Sequence, residues 1–261
     1  MPTAFSKLTA SALIDALGLP PASRLDQRIP KKLLVEHGAP TAADRKLIQD
    51  GIEEAKWVAA IKPANSAIPE YFDETRNYLE LSVLMIRTRQ IEPGTVHWLR
   101  LAGLIHRAIP YPVVLVLESQ GVTSMSLVHI RSAQNEVDKT VLDGDLLMAS
   151  FDAPCPDQQA FLAALALSQQ PRTDLHAVYQ GWMDTLTAWQ AMALTGRFKL
   201  SENPNHAANR RSLLRQCREL DIELAQLEKL AGKAKQMACQ VEINQKIHTL
   251  RLQRQQLAAS A

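Results

Sequence analysis

The sequence has little of what would staple, anchor or arm a protein. Its three cysteines, Cys155, Cys217 and Cys239, are odd in number, far apart and without a C-x-x-C pair. That argues against a disulfide framework or a zinc knuckle and favours thiols in a reducing compartment. The longest run of Val, Leu and Ile, Val113 to Leu117, is far too short to span a bilayer. The start, Met1-Pro2-Thr3-Ala4-Phe5, has no basic stretch followed by an apolar one, so a cytoplasmic protein without a signal peptide is expected. A net charge of +2 is too small to point to nucleic acid by itself. There is no G-x-x-x-x-G-K-[ST] loop, no G-x-G-x-x-G after a strand and no G-x-S-x-G elbow, which excludes the best-marked nucleotide-binding and hydrolase classes. The seven histidines never form H-x-x-x-H, and His97 and His106 have no carboxylate at ligand spacing, so no metal and no cofactor are expected.

What is present is an ordinary globular composition, 46% hydrophobic and 21% charged over 261 residues, enough for one large domain or two small ones. Leu13, Ile14 and Leu17 share a helical face within Thr9 to Leu17, closed by Gly18 and Pro20-Pro21. Leu33-Leu34-Val35-Glu36 reads as a short strand. Thr41 with Asp44 opens a helix carrying Leu47, Ile48, Ile52, Ala55 and Ala59 at helical spacing, with Pro63 closing it. Lys62 to Pro69 reads as an ordered, non-helical loop. Tyr78 to Arg87 alternates as a strand with Leu79, Leu81, Val83 and Met85 on one face. Val96 to Ala108 is an amphipathic helix with Trp98, Leu101, Leu104 and Ile105 inward. Strands follow at 113–118, 123–131 and 140–151, the last bent at Asp143-Gly144-Asp145. The expected class is α+β, a mostly antiparallel sheet with flanking helices.

Pro154-Cys155-Pro156 marks the expected boundary, which gives an α+β domain over 1–153, a helical connector over 157–200 and a basic tail over 205–258. In the connector, Leu175, Tyr179, Trp182, Leu186 and Trp189 make a helical stripe ended by Gly196. In the tail, Leu213, Cys217, Leu220, Leu224 and Leu227 keep heptad-like spacing, and Ala234, Met237, Val241 and Leu250 resume it past Gly232. One long coiled-coil-like helix or a helical hairpin fits, with the partner of the seam left open.

Few residues stand out chemically. A metal-dependent nuclease needs carboxylates on the ion and often a lysine beside them. Glu54-Ala55-Lys56 has that spacing but reads as mid-helix, where residues two apart do not face one another. The strand-borne carboxylates Glu80 and Glu118 are the catalytic candidates. They could share a metal only if their strands are adjacent and both point to one face. Arg28, Lys31 and Lys32 form a basic loop able to hold phosphates, which His106, Arg107 and Arg131 would extend in space. The tail carries ten Lys or Arg against five Asp or Glu between His206 and Arg254, with Arg210, Arg211, Arg215 and Arg218 at its start. Such a row can follow a phosphate backbone or flank a helical seam, and the absence of interleaved aromatics argues against base stacking.

Arg28-Ile29-Pro30-Lys31-Lys32, Trp57 to Ile68, Tyr78-Leu79-Glu80-Leu81-Ser82-Val83 and Leu104-Ile105-His106-Arg107-Ala108-Ile109-Pro110-Tyr111-Pro112 occur in an order that resembles the bacterial domain-of-unknown-function family 4391. Lys235-Gln236 and Val241-Glu242-Ile243-Asn244 resemble the family's helical end. The resemblance implies proteins encoded beside DNA methyltransferases and helicases in antiviral, restriction–modification-like defence loci. It brings no catalytic residue to carry over. The expectation is therefore an accessory interaction subunit docking on a helicase or methyltransferase, with possible self-association through the tail. The alternatives are a metal-dependent nuclease using Glu80 and Glu118, and a DNA-binding module.

Overall fold

The computed structural model describes residues 7–133, 140–234 and 236–259. Met1 to Phe5, Lys235 and the side chains of Met237 and Cys239 lie outside what it describes. The chain divides into two compact units, 1–186 and 187–261, so the proline-marked boundary at 154–156 falls inside the first.

The first unit is α+β. In chain order it holds α1 (Ala10–Ala16), β1 (Arg24–Arg28), α2 (Lys31–Gly38), α3 (Ala42–Gly51), β2 (Ile52–Ile61), the single turn α4 (Pro63–Ser66), and two short strands β3 (Tyr71–Phe72) and β4 (Asn77–Tyr78). Then come β5 (Leu81–Thr88), α5 (Val96–Ala108), β6 (Val113–Ser119), β7 (Val122–Ser132), β8 (Thr140–Phe151), α6 (Gln158–Leu165) and most of α7 (Leu175–Thr195). Six strands form one sheet in the order β1-β2-β5-β6-β7-β8, while β3 and β4 pair separately. Neighbours are antiparallel except β5 and β6, which run parallel in the register Ser82↔Val113 to Arg87↔Glu118. A parallel pair cannot be joined by a tight turn, and α5 is the crossover. Thr95 caps it, its hydroxyl accepting from the Trp98 N–H at 3.3 Å.

One sheet face packs on α2, α3 and α5, where Leu34, Ile48, Trp98, Leu101, Leu104 and Ile105 meet Leu84, Ile86, Leu115 and Leu117. The other face is covered by α1, α6 and the start of α7, with Phe151 against Phe161 at 5.3 Å. Of the α7 stripe, Leu175, Tyr179, Trp182 and Leu186 are fully buried in this unit.

Four expectations are corrected. Residues 33–36 are helical: Pro30 sets the entry to α2, and Leu34 turns into the core beside α5. The helix from Thr41 stops at Gly51, and Ile52 to Ile61 is a strand. Register shifts at 52/54 and 57/59 break its alternation, so Ile52, Ala55 and Ala59 imitate a helical period. Pro63 starts a turn of helix, with the Lys62 N–H donating to Asn65 Oδ1 at 2.8 Å. Strand β5 begins at Leu81 rather than Tyr78, and residues 81–84 are all buried because helices cover both faces. The bend at 143–145 is present as a shift in β7–β8 register with Gly144 at φ +91°.

In the second unit α8 (Pro204–Ala231) and α9 (Met237–Ala259) form a helical hairpin. Asn203 caps α8, accepting from the His206 N–H at 2.9 Å. Cys217, Leu220 and Leu224 on α8 and Ile247 on α9 are buried. Arg251 reaches Glu228 at 2.8 Å and Arg254 reaches Asp221 at 3.0 Å, higher numbers on one helix meeting lower on the other, as antiparallel helices require. This settles the choice between one helix and a hairpin, and places the partner of the α8 seam within the chain. Val241, expected on the seam, is 51% exposed. Among the described residues no helix is long and apolar enough to cross a membrane.

Candidate functional site

The two candidate carboxylates do not meet. The β5–β6 register puts Glu118 opposite Arg87, while Glu80 precedes Leu81 at the other end of β5. Seven residues of extended chain separate them by about 20 Å. Buried Glu80 is held by Lys62 Nζ at 2.9 Å and accepts from Ser82 Oγ at 3.3 Å. The pairing also raises the Lys62 ammonium above its usual range, chiefly through this hydrogen bond.

Glu54 and Lys56 are not mid-helix: they lie two apart on β2, and neither joins the core in which Ala55 between them is buried. Along this row Lys56 pairs with Asp26 at 2.8 Å, and Arg87 stands between Glu54 at 3.2 Å and Glu118 at 3.6 Å. The guanidinium thus occupies the space between two carboxylates that a cation would otherwise bridge. Among the described residues no group of three or more His, Cys, Asp or Glu could hold a metal.

The basic residues separate into distinct places. Arg28 ends β1 and Lys31 begins α2. Lys31 Nζ donates to the Gln49 carbonyl at 2.9 Å, at the end of α3. Its pKa is lowered by burial and by the like charges of Arg89 and Arg28, opposed by Asp50 and Glu53. Lys32 is exposed beside it. Arg131, four strands away on β7, lies at least about 19 Å from Arg28 and reaches Asp143 at 3.9 Å. Arg107 is exposed at the last turn of α5, the end that packs near Gly38 and away from Lys31. His106 is a core residue, 1% exposed, 2.9 Å from Ser126 Oγ, and burial pushes it down to about 3, so it adds no surface charge.

The basic loop is extended instead by residues that sequence reasoning missed. An open groove of about 620 Å³ lies between α3 and the turn leading from β5 into α5. Leu47 and Ile91 contribute apolar walls, Lys46, Arg89 and His97 bring the basic groups, and Asp50 is its acidic member. The Lys46 and Asp50 spacing of four along α3 was a legible signal; the arrival of Arg89 beside it depends on the β2–β5 pairing.

A second missed constellation joins Tyr71, Tyr78, His129, His176 and Tyr179. His176 stacks between Tyr71 at 4.7 Å and His129 at 4.9 Å. Gln180 Nε2 donates to Asp184, so Gln180 Oε1 accepts from His129 Nε2 at 2.9 Å, and His129 Nδ1 accepts from the Tyr78 hydroxyl. Burial lowers His129 to about 4 and raises the Tyr78 phenol, so this chain of bonds is neutral near pH 7. Its members are scattered from 71 to 180 and leave no local motif.

In the tail, Arg210 is turned inward, 4% exposed, donating to the Lys199 carbonyl at 2.6 Å and to Ser201 Oγ at 3.2 Å. It is a packing residue and leaves the expected arginine row. Arg211, Arg215 and Arg218 recur at steps of four and three opposite the Leu220–Leu224 seam, with Ile222 continuing the row at 55% exposure.

The model of the family described as Domain of unknown function (DUF4391) matches residues 17–253. The chain belongs to this family. No curated protein and no solved structure matches it. The match runs from the end of α1 into α9, so DUF4391 here spans both units.

Proposed function

We propose that this DUF4391 protein is an accessory subunit of a bacterial DNA-targeting defence assembly, docking on a helicase or DNA methyltransferase encoded beside it. One observation carries the reading. The apolar seam of the tail is consumed within the hairpin, while α8 turns Arg215, Arg218 and Ile222 to its outer face. A long helical hairpin with a closed seam and a mixed basic and apolar face opposite it suits contact with another protein. The carboxylates expected to serve catalysis are held by cations, Glu80 by Lys62 and Glu118 by Arg87, which favours a structural role for both.

The test is purification of a tagged copy expressed with its native gene neighbours. A helicase or methyltransferase eluting in stoichiometric amount supports the reading. A protein that elutes alone overturns it.

A further inference from the structure

We infer that the groove between α3 and α5 is a phosphate-binding site, taking the phosphate of a nucleic-acid backbone or of a nucleotide. The inference concerns the first unit alone and is independent of the docking reading.

Three observations converge. The groove, about 620 Å³, is within the range of ligand sites, and apolar Leu47 and Ile91 line it together with Lys46, Arg89 and His97. Lys46 and Arg89 beside apolar side chains suit an anion with a less polar body attached, as a phosphorylated sugar and base would be. Second, Arg89 of the groove stands near Lys31 and Arg28, and the Lys31 ammonium is disfavoured first by burial and then by these like charges, with Asp50 and Glu53 opposing them. Like charges held together lower their mutual repulsion when an anion arrives. Third, His97, in the first turn of the 13-residue helix α5, lines the groove, so the positive end of that helix lies beside it. Asp50 stands one turn from Lys46 on α3 and opposes the cations at that wall, so Arg89 and the α5 side carry the more favourable charge.

The experiment measures binding of the full chain to a fluorescently labelled 20-base-pair DNA duplex over a salt series, and to AMP by calorimetry. Three proteins are compared: wild type, K46A/R89A and R107A. Lys46, Arg89 and Arg107 are exposed, so each substitution leaves the core intact, which an unchanged thermal midpoint verifies. Wild type binds at least one probe, and K46A/R89A binds that probe at least about tenfold more weakly. On duplex, the log–log salt slope falls by about two, one for each cation removed. R107A, at the far end of α5, keeps wild-type affinity. AMP displacing the duplex assigns the site to nucleotides; duplex binding that AMP leaves untouched assigns it to the backbone. No wild-type binding to either probe overturns the inference. So does duplex binding that survives K46A/R89A with an unchanged slope, because it then resides elsewhere, on the tail arginines for example.

Discussion

The hydroxyl of Tyr179 closes a gap in the sheet, and removing it should destabilise the first unit strongly for so small a change. The β6–β7 ladder has Leu115 opposite Ser126, and the same register two residues on would bring Val113 opposite Val128. There the Tyr179 oxygen intervenes: it accepts from the Val128 N–H at 3.0 Å and donates toward the carbonyls of Val113 at 2.8 Å and Val128 at 3.0 Å. The residue is fully buried, and burial raises its phenol far above the usual value, so it stays a neutral donor and acceptor. Tyr179→Phe keeps the ring against Tyr78 and His129 but leaves the Val128 N–H and a carbonyl without their partner. An unsatisfied buried polar group costs about 1–3 kcal/mol, and partial closure of the strands recovers some of it, so a net loss of about 2–3 kcal/mol is expected. For a unit of this size that lowers Tm by about 4–12 °C. Urea unfolding followed by tryptophan fluorescence reads the loss, and amide exchange at Val128 should accelerate with it. A loss below about 0.5 kcal/mol with protection at Val128 unchanged would refute the reasoning.

Three further outcomes follow from local geometry. His106 and His129 sit at about 3 and about 4 against a usual 6.5, so the unfolded chain takes up protons first. Their contribution is complete above about pH 6.5 and is lost as pH falls toward 4 and 3, by up to about 1.4 kcal/mol per pH unit for each, which urea midpoints at pH 7, 6 and 5 will show. Gly38→Ala places a Cβ 2.5 Å from the Leu104 carbonyl oxygen and 2.9 Å from Ala108 Cβ, forcing α2 from α5 at about 1–3 kcal/mol, measured as a drop in Tm. Arg210→Ala removes the donor to the Lys199 carbonyl and opens space under α8, costing about 1–3 kcal/mol, whereas Arg218→Ala on the outer face stays within about 0.5 kcal/mol; thermal unfolding by circular dichroism separates the two.

Elements whose pattern is set by one buried face were legible. Helix α5 shows its period because only one side meets the sheet, and β6 reads as a buried run between Pro112 and Gly121. Asp143-Gly144-Asp145 announced the irregularity in β8 because positive φ favours glycine. Strand β2 was hidden because two register shifts gave it a helix-like spacing, and this concealed that Glu54 and Lys56 share a face. Only the pairing of β5 with β6 reveals that Glu80 and Glu118 stand at opposite ends. Arg210 resembles its neighbours in sequence, yet the loop at 199–201 folds over it and supplies its acceptors. The Tyr–His stack unites residues distant in the chain and has no local signal, and of the basic groove only the Lys46 and Asp50 spacing on α3 was legible, because Arg89 meets it through the β2–β5 pairing.

The most direct test of the accessory-subunit account is the mass, by light scattering, of the complex formed when the chain is co-expressed with its gene neighbours, comparing wild type with R215E/R218E/I222E. The account predicts a stoichiometric complex with a helicase or methyltransferase for wild type, and its loss in the variant while the hairpin remains helical. A wild-type protein of about 29 kDa eluting free of any partner would contradict it.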